Sequence, residues 1–279
     1  MPTATSADRA YAAAGRGLAR CCAHLALALI VGAAFAGGAS ATAAVKLHVS
    51  FDPNVAGQET TLQLGLRLGG PGPAMPLPVT RLALRMPANM GLGRTTLGVR
   101  NCYPALLLVG GLGACSVDSR IGFGNATAVV PVGSQTLQEK VSLNALMGPP
   151  VEDHIEVLFY LQGETPVLDR LVLPSVVAPD TPPFGEQLDT LVPPVQAWPG
   201  GPELSLETFN STIGPLGLTY RHQVGGRTVT YHPRGVRIPS VCTHGGYPFA
   251  AIVTFQGGSQ TTATYTVPCP PNRKAHQRN

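Results

Sequence analysis

Beyond residue 44 the chain alternates apolar and polar positions with a period of two. In ETTLQLGLRLG, Leu62, Leu64, Leu66 and Leu68 are separated by Gln63, Gly65 and Arg67, the pattern of a strand with one buried face. VKLHVSF precedes it across a polar turn and predicts its partner. PVTRLALRMP repeats the alternation, with Leu82 and Leu84 between Arg81 and Arg85, and further strands are predicted in RIGFGNATAVVPV and QEKVSLNALMG. In HIEVLFYLQ, Ile155, Val157, Phe159 and Leu161 share one face, with PVLDRLVLPSVV as the expected partner, and PELSLETFN alternates again. Between residues 88 and 115 the pattern is irregular; PALLLVGG there is either a helical turn or an apolar loop.

Two hairpins can be registered from sequence. In LTYRHQVGGRTVTYHP a two-residue Gly225-Gly226 turn sets Tyr220 opposite Tyr231 and His222 opposite Val229. In YPFAAIVTFQGGSQTTATYTV a three-residue turn, Gly257-Gly258-Ser259, sets Val253 opposite Ala263, Ala251 opposite Tyr265 and Phe249 opposite Val267. A two-residue turn would instead pair apolar with polar positions.

Short strands bounded by turns, with no amphipathic helix to cross over a parallel sheet, predict an all-β protein built as an antiparallel β-sandwich. The break at GPPVED predicts two modules, 44–148 and 149–270. Composition agrees: 33 Gly and 27 Pro in 279 residues suit many turns better than long helices.

The first 43 residues are of another kind. Arg16 and Arg20 precede the apolar CCAHLALALIVGAAFA, which leads to the cleavage-like triplets Ala39-Ser40-Ala41 and Ala41-Thr42-Ala43, so 1–43 is expected to be a secretory signal; the competing expectation is a retained membrane anchor. Its loss removes Arg9, Arg16, Arg20 and Asp8 from totals of 19 basic and 15 acidic residues, leaving 16 and 14. Three of those basic residues, Arg273, Lys274 and Arg278, lie in 271–279, expected to be a disordered basic tail. The remaining body is near neutral and has no basic stripe for nucleic acid.

Loss of Cys21 and Cys22 leaves Cys102, Cys115, Cys242 and Cys269. An even number in an oxidising compartment predicts disulfides, and proximity pairs 102 with 115 and 242 with 269. The rival is zinc, with His244 joining Cys242 and Cys269, but the closely spaced cysteine pairs typical of structural zinc are missing after the signal.

Three stretches, CSVDSRIGFGNATA, PPFGEQLDTLVPP and CTHGGYPFAAIVTFQGG with its closing VPCP, resemble an uncharacterised family of secreted β-rich proteins of high-GC actinobacteria. The likeness spans much of 45–270. It implies export and an immunoglobulin-like architecture and carries no catalytic residues across. Ser116 stands where that pattern has proline.

Candidate chemistry is sparse. No nucleophile elbow of the G-x-S-x-G type is present. His154 and Glu156, beside Glu152 and Asp153, share the polar face of one strand and could grip a cation, though a solvated sheet face explains them as well. His222 and His232 fall on opposite faces of their hairpin. Glu203 and Glu207 are available as paired carboxylates, but their separation is not set by sequence. Gly110, Gly111 and Gly113 lack the strand-to-helix setting of a phosphate loop. Asn125 and Asn210 begin glycosylation sequons, weak evidence of modification in a chain of suspected bacterial origin. Trp198, the single tryptophan, lies in the loop QAWPGG as a possible ligand-stacking platform or as packing over proline. No cofactor is expected. These readings predict an exported, non-enzymatic structural or interaction protein, secreted or associated with the cell envelope. The sequence identifies no partner, an envelope polysaccharide or protein being one candidate class, and no membrane insertion is expected once the signal is cleaved. Carbohydrate binding is the first alternative, and a secreted hydrolase or metal-dependent enzyme the second.

Overall fold

The computed structural model describes residues 43–70, 74–91, 100–165, 169–243 and 245–271. The expected signal, save Ala43, and the basic tail, save Pro271, lie outside the described residues, as does His244.

The alternating segments form antiparallel strands. They are β1 (Ala44–Asp52), β2 (Glu59–Gly69), β3 (Val79–Pro87), β4 (Arg120–Val132), β5 (Gln135–Met147), β6 (Ile155–Thr165), β7 (Arg170–Pro179), β8 (Phe184–Leu191), β9 (Ser205–Ile213), β10 (Tyr220–Val224), β11 (Arg227–Tyr231), β12 (Val236–Arg237), β13 (Tyr247–Phe255) and β14 (Gln260–Val267). Twelve belong to one sheet, in the order β1-β2-β9-β4-β5-β6-β7-β8-β3-β13-β14, with β12 also pairing β2; β10 and β11 form a separate ribbon. The two ends of the sheet come together. Thr261 Oγ1 of β14 donates to the carbonyl of Ala43 at 3.2 Å, and the rings of His48 and Tyr265 meet edge to face at 4.9 Å. The sheet thus curls into a nearly closed barrel.

This architecture corrects the expectation of two immunoglobulin-like sandwich modules. Gly148, Pro149 and Pro150 connect β5 to β6, which are hydrogen-bonded neighbours. Strands from both sides of that break interleave: β9 lies between β2 and β4, and β3 lies between β8 and β13. A single sheet with edges brought together leaves few unpaired backbone groups, the usual reason for closing a β-sheet.

The predicted inward faces are inside. Leu62, Leu64, Leu66 and Leu68 are buried, as are Leu47, Val49 and Phe51 from β1 and Phe249, Ala251 and Val253 from β13. Phe51 packs against Tyr247 and Phe249, with ring centroids 5.7 and 5.9 Å apart. The β10–β11 ribbon has the predicted register, with Tyr220 opposite Tyr231 and His222 opposite Val229. Its Gly225-Gly226 turn needs positive φ at both positions, and has 54° and 77°.

For β13–β14 the faces are as expected but the register is two residues away. Ala251 faces Ala263, Phe249 faces Tyr265 and Tyr247 faces Val267. The loop is Gln256-Gly257-Gly258: the Gly258 N–H donates to the Phe255 carbonyl at 2.9 Å, and Gly257, at φ 86°, takes the third position of that turn. Hydrophobic alternation could not separate the two registers, because both keep the same side chains inside.

PALLLVG forms a short helix, α1 (Pro104–Gly110), followed by 3-10 turns at Gly111–Ala114 and Val117–Ser119. Pro104 suits the first helical turn, where a missing N–H costs nothing. The segment lies on the outside of the barrel over β6 and β7. Leu107 there joins Cys102, Cys115, Leu146, Leu158 and Tyr160 in a second buried cluster. Consequently β6 is buried on both faces, where sequence had predicted one.

Candidate functional site

The four cysteines among the described residues are bonded as paired from sequence. Cys102–Cys115 clasps the α1 segment, with Cα atoms 5.4 Å apart, and Cys242–Cys269 joins the approach to β13 with the exit from β14, with Cα atoms 5.7 Å apart. Cys269 lies two residues past the end of the ladder rather than opposite Tyr247, and Cys242 reaches it from the loop before β13. These sulfurs are structural. Two such bonds suit an oxidising compartment.

The other sequence candidates do not converge. Among the described residues no three His, Cys, Asp or Glu side chains are grouped as metal ligands would be. His222 and His232 lie on opposite faces of their ribbon, and the His232 imidazole meets the Thr219 hydroxyl at 3.1 Å. Glu203 accepts from Gln256 at 3.4 Å, whereas Glu207 accepts from Gln138 at 2.8 Å and Thr127 at 3.3 Å, so the two carboxylates serve different contacts. Gly111 closes α1, its N–H donating to the Leu107 carbonyl, which gives the glycine cluster a structural role. Trp198 is 45% exposed, and its indole lies against Gly201 in a tight turn closed by the Gly201 N–H on the Trp198 carbonyl at 2.8 Å.

Glu156 corrects one expectation. It is not on a solvated face but 6% exposed, packed against Gly148, and its Oε2 has no hydrogen-bond partner among the described residues. Burial pushes its carboxyl above the usual range. Glu186 shows the same direction for the same reason.

What sequence did not reveal is the space inside the barrel. Beneath the 192–204 connection is a cavity of about 150 Å³, walled by Leu82, Val141, Leu161, Leu171, Leu206 and Phe209. The first five are only half-buried although they belong to the core, because the space beside them is open to solvent. Pro193 and Pro194 roof it; the Val192 N–H on the Thr80 carbonyl (3.0 Å) ties the connection to β3, and the Leu204 N–H on the Val195 carbonyl (2.8 Å) braces it internally. Three carboxylates line it: Glu139, which accepts the Glu164 N–H at 3.1 Å, Asp169 and Glu203. Phe209, edge to face with Phe159 at 5.9 Å, also lines a smaller apolar cavity of about 60 Å³ deeper in the barrel. The sequence signal was available only as the half-buried positions of several strands; which strands share an end depends on the sheet order.

A second concavity, about 270 Å³, lies on the outer face of β1, β2, β9 and β4. Ser50, Gln63, Thr212 and Phe123 stand opposite one another across these strands, as do His48, Gly65, Asn210 and Asn125. The two sequon asparagines are thus neighbours, with Asn210 Nδ2 donating to Asn125 Oδ1 at 3.1 Å. No family model, curated protein or solved structure matches the chain.

Proposed function

We propose that the protein works outside the cytoplasm, secreted or held at the cell envelope, as a non-enzymatic binding protein whose barrel end takes a small apolar guest. The observation that carries this reading is the aliphatic cavity under residues 192–204. An apolar cavity of about 150 Å³ is large enough for a benzene-sized group. Binding there removes apolar surface from water on both partners, about 0.8 kcal/mol for each methylene. The two disulfides and the N-terminal apolar stretch support the extracellular setting.

Titration with toluene, followed by ligand-observed saturation-transfer NMR, tests the reading. Ala128, on the cavity wall, is 8% exposed, and Ala128→Phe would place a ring in the space. The wild-type protein should bind the probe and A128F should bind it at least about tenfold more weakly, with both melting cooperatively. No saturation transfer with wild type, or equal affinity in the variant, overturns the reading.

A second reading, recognition of a neutral polysaccharide, is favoured by the outer concavity. There uncharged Gln63, Asn125, Asn210 and Thr212 surround a Phe123 ring that is 40% exposed. A glycan array with Phe123→Ala as the control distinguishes it.

A further inference from the structure

The least expected surface of the molecule is α1. Its sequence, PALLLVG, has no charged residue, and it turns only Leu107 into the protein. Leu106, Leu108 and Val109 are 54, 49 and 83% exposed, and Tyr103, at its N-terminal boundary, is 56% exposed. Single exposed apolar side chains are ordinary; four within seven residues form a patch that costs solubility unless something covers it. The helix cannot roll inward to hide them. The Cys102–Cys115 bond closes its base, and the Cys102 N–H is tied to the Met147 carbonyl at 2.8 Å.

One side of the patch is cationic, where the 3-10 turn 117–119 that follows α1 meets the β10–β11 ribbon. Residues 100–120 carry Arg100 and Arg120 against Asp118 alone, and 219–235 carry Arg221, Arg227 and Arg234 with no acid. The two stretches adjoin: Arg120 Nη2 donates to the Leu112 carbonyl at 3.4 Å, and its guanidinium is 6.0 Å from the Tyr220 ring. Arg100 and Asp118 pair at 3.1 Å and cancel, which leaves Arg120 and the three arginines of 219–235 as the excess charge.

From this juxtaposition we infer that α1 docks the protein on an anionic phospholipid surface. Leu106, Leu108 and Val109 enter the boundary between headgroups and acyl chains, and the arginines meet the phosphates. A second copy is a poor occupant, because a two-fold contact through this face would bring the same arginines of both chains together. Spanning is excluded by length: seven residues of helix rise about 10 Å, against a hydrocarbon core of about 30 Å. The far end of α1 lies by β7. A side chain at Gly111 would approach the Tyr160 hydroxyl and Arg170, and Arg170 follows Asp169 on the cavity rim. The inference does not rest on the cavity having a guest.

Flotation of the disulfide-bonded, signal-free protein with lipid vesicles tests it. Wild type should float with vesicles containing phosphatidylglycerol, release at high salt, and remain unbound with pure phosphatidylcholine. The double variant Leu106→Ser with Val109→Ser, both positions exposed, should keep the wild-type melting temperature and lose at least about tenfold in partitioning. The inference is overturned if wild type does not float with the anionic vesicles, if it floats equally with neutral ones, or if the double variant floats as well as wild type. It is also overturned if sedimentation shows a dimer that the double variant abolishes, since the face would then belong to a second copy.

Discussion

Removing the Cys242–Cys269 bond should destabilise the barrel through the denatured chain more than through lost contacts. The bond closes a loop with a sequence separation of 27, and β13 and β14 inside it are paired from Tyr247↔Val267 to Thr254↔Gln260, so the folded hairpin retains its ladder without the sulfurs. The Asn54 side chain also holds the Pro268 carbonyl at 2.9 Å. Loop-closure entropy for a loop of that length gives about 3.6 kcal/mol at 25 °C. With a urea m-value of about 3 kcal/mol/M for a body of this size, Cys242→Ser with Cys269→Ser should lower the unfolding midpoint by about 1 M. The m-value itself should rise, because an unlinked denatured chain exposes more surface. Equilibrium unfolding by tryptophan fluorescence and circular dichroism, taken together, measures both quantities. A midpoint within about 0.2 M of wild type, with an unchanged m-value, would refute the entropic account.

Two further substitutions have opposite pH signatures. Glu156 has its folded-state pKa raised by burial, so its contribution is fully present below the unfolded value and is lost as pH rises through the folded one. Glu156→Gln should therefore raise stability by about 1 kcal/mol at neutral pH and by less near pH 4, as thermal melts across that range will show. Asp180 is the reverse: the Arg85 guanidinium, bonded to both carboxylate oxygens at 2.6 and 2.7 Å, holds its carboxyl below the usual range. The stabilisation is present above the unfolded pKa and lost as pH falls through the folded one, so Asp180→Asn should cost about 1 kcal/mol at pH 7 and almost nothing at strongly acid pH.

Local features of the fold were legible because their physics is local. Period-two alternation located β1, β2, β3 and β6, and paired glycines fixed the β10–β11 turn. Sequence proximity chose the cysteine pairs because each pair closes over a single short excursion of the chain. What failed depends on distant partners. Nothing near Leu206 states that β9 inserts between β2 and β4, so modules were inferred where the sheet is continuous. Leu158 and Tyr160 were assigned to the less protected side of β6, but α1, far upstream, covers them. Glu156 misled for a related reason: a carboxylate on an alternating strand normally marks solvent, and here the approach of Gly148 shuts it in. The cavity was invisible because its walls come from β3, β4, β5, β6, β7 and β9, whose common end exists only once the order is known.

The placement of β1 beside β14 has a consequence for biogenesis. The first strand meets its second lateral neighbour only when nearly the last residues of the barrel have been delivered, and β3 likewise waits for β13. Such distant pairings fold slowly, since much chain entropy is surrendered before they form. Under the proposed export that delay is useful: the leading part of the chain has no finished structure to jam in transit, and ring closure follows arrival on the far side.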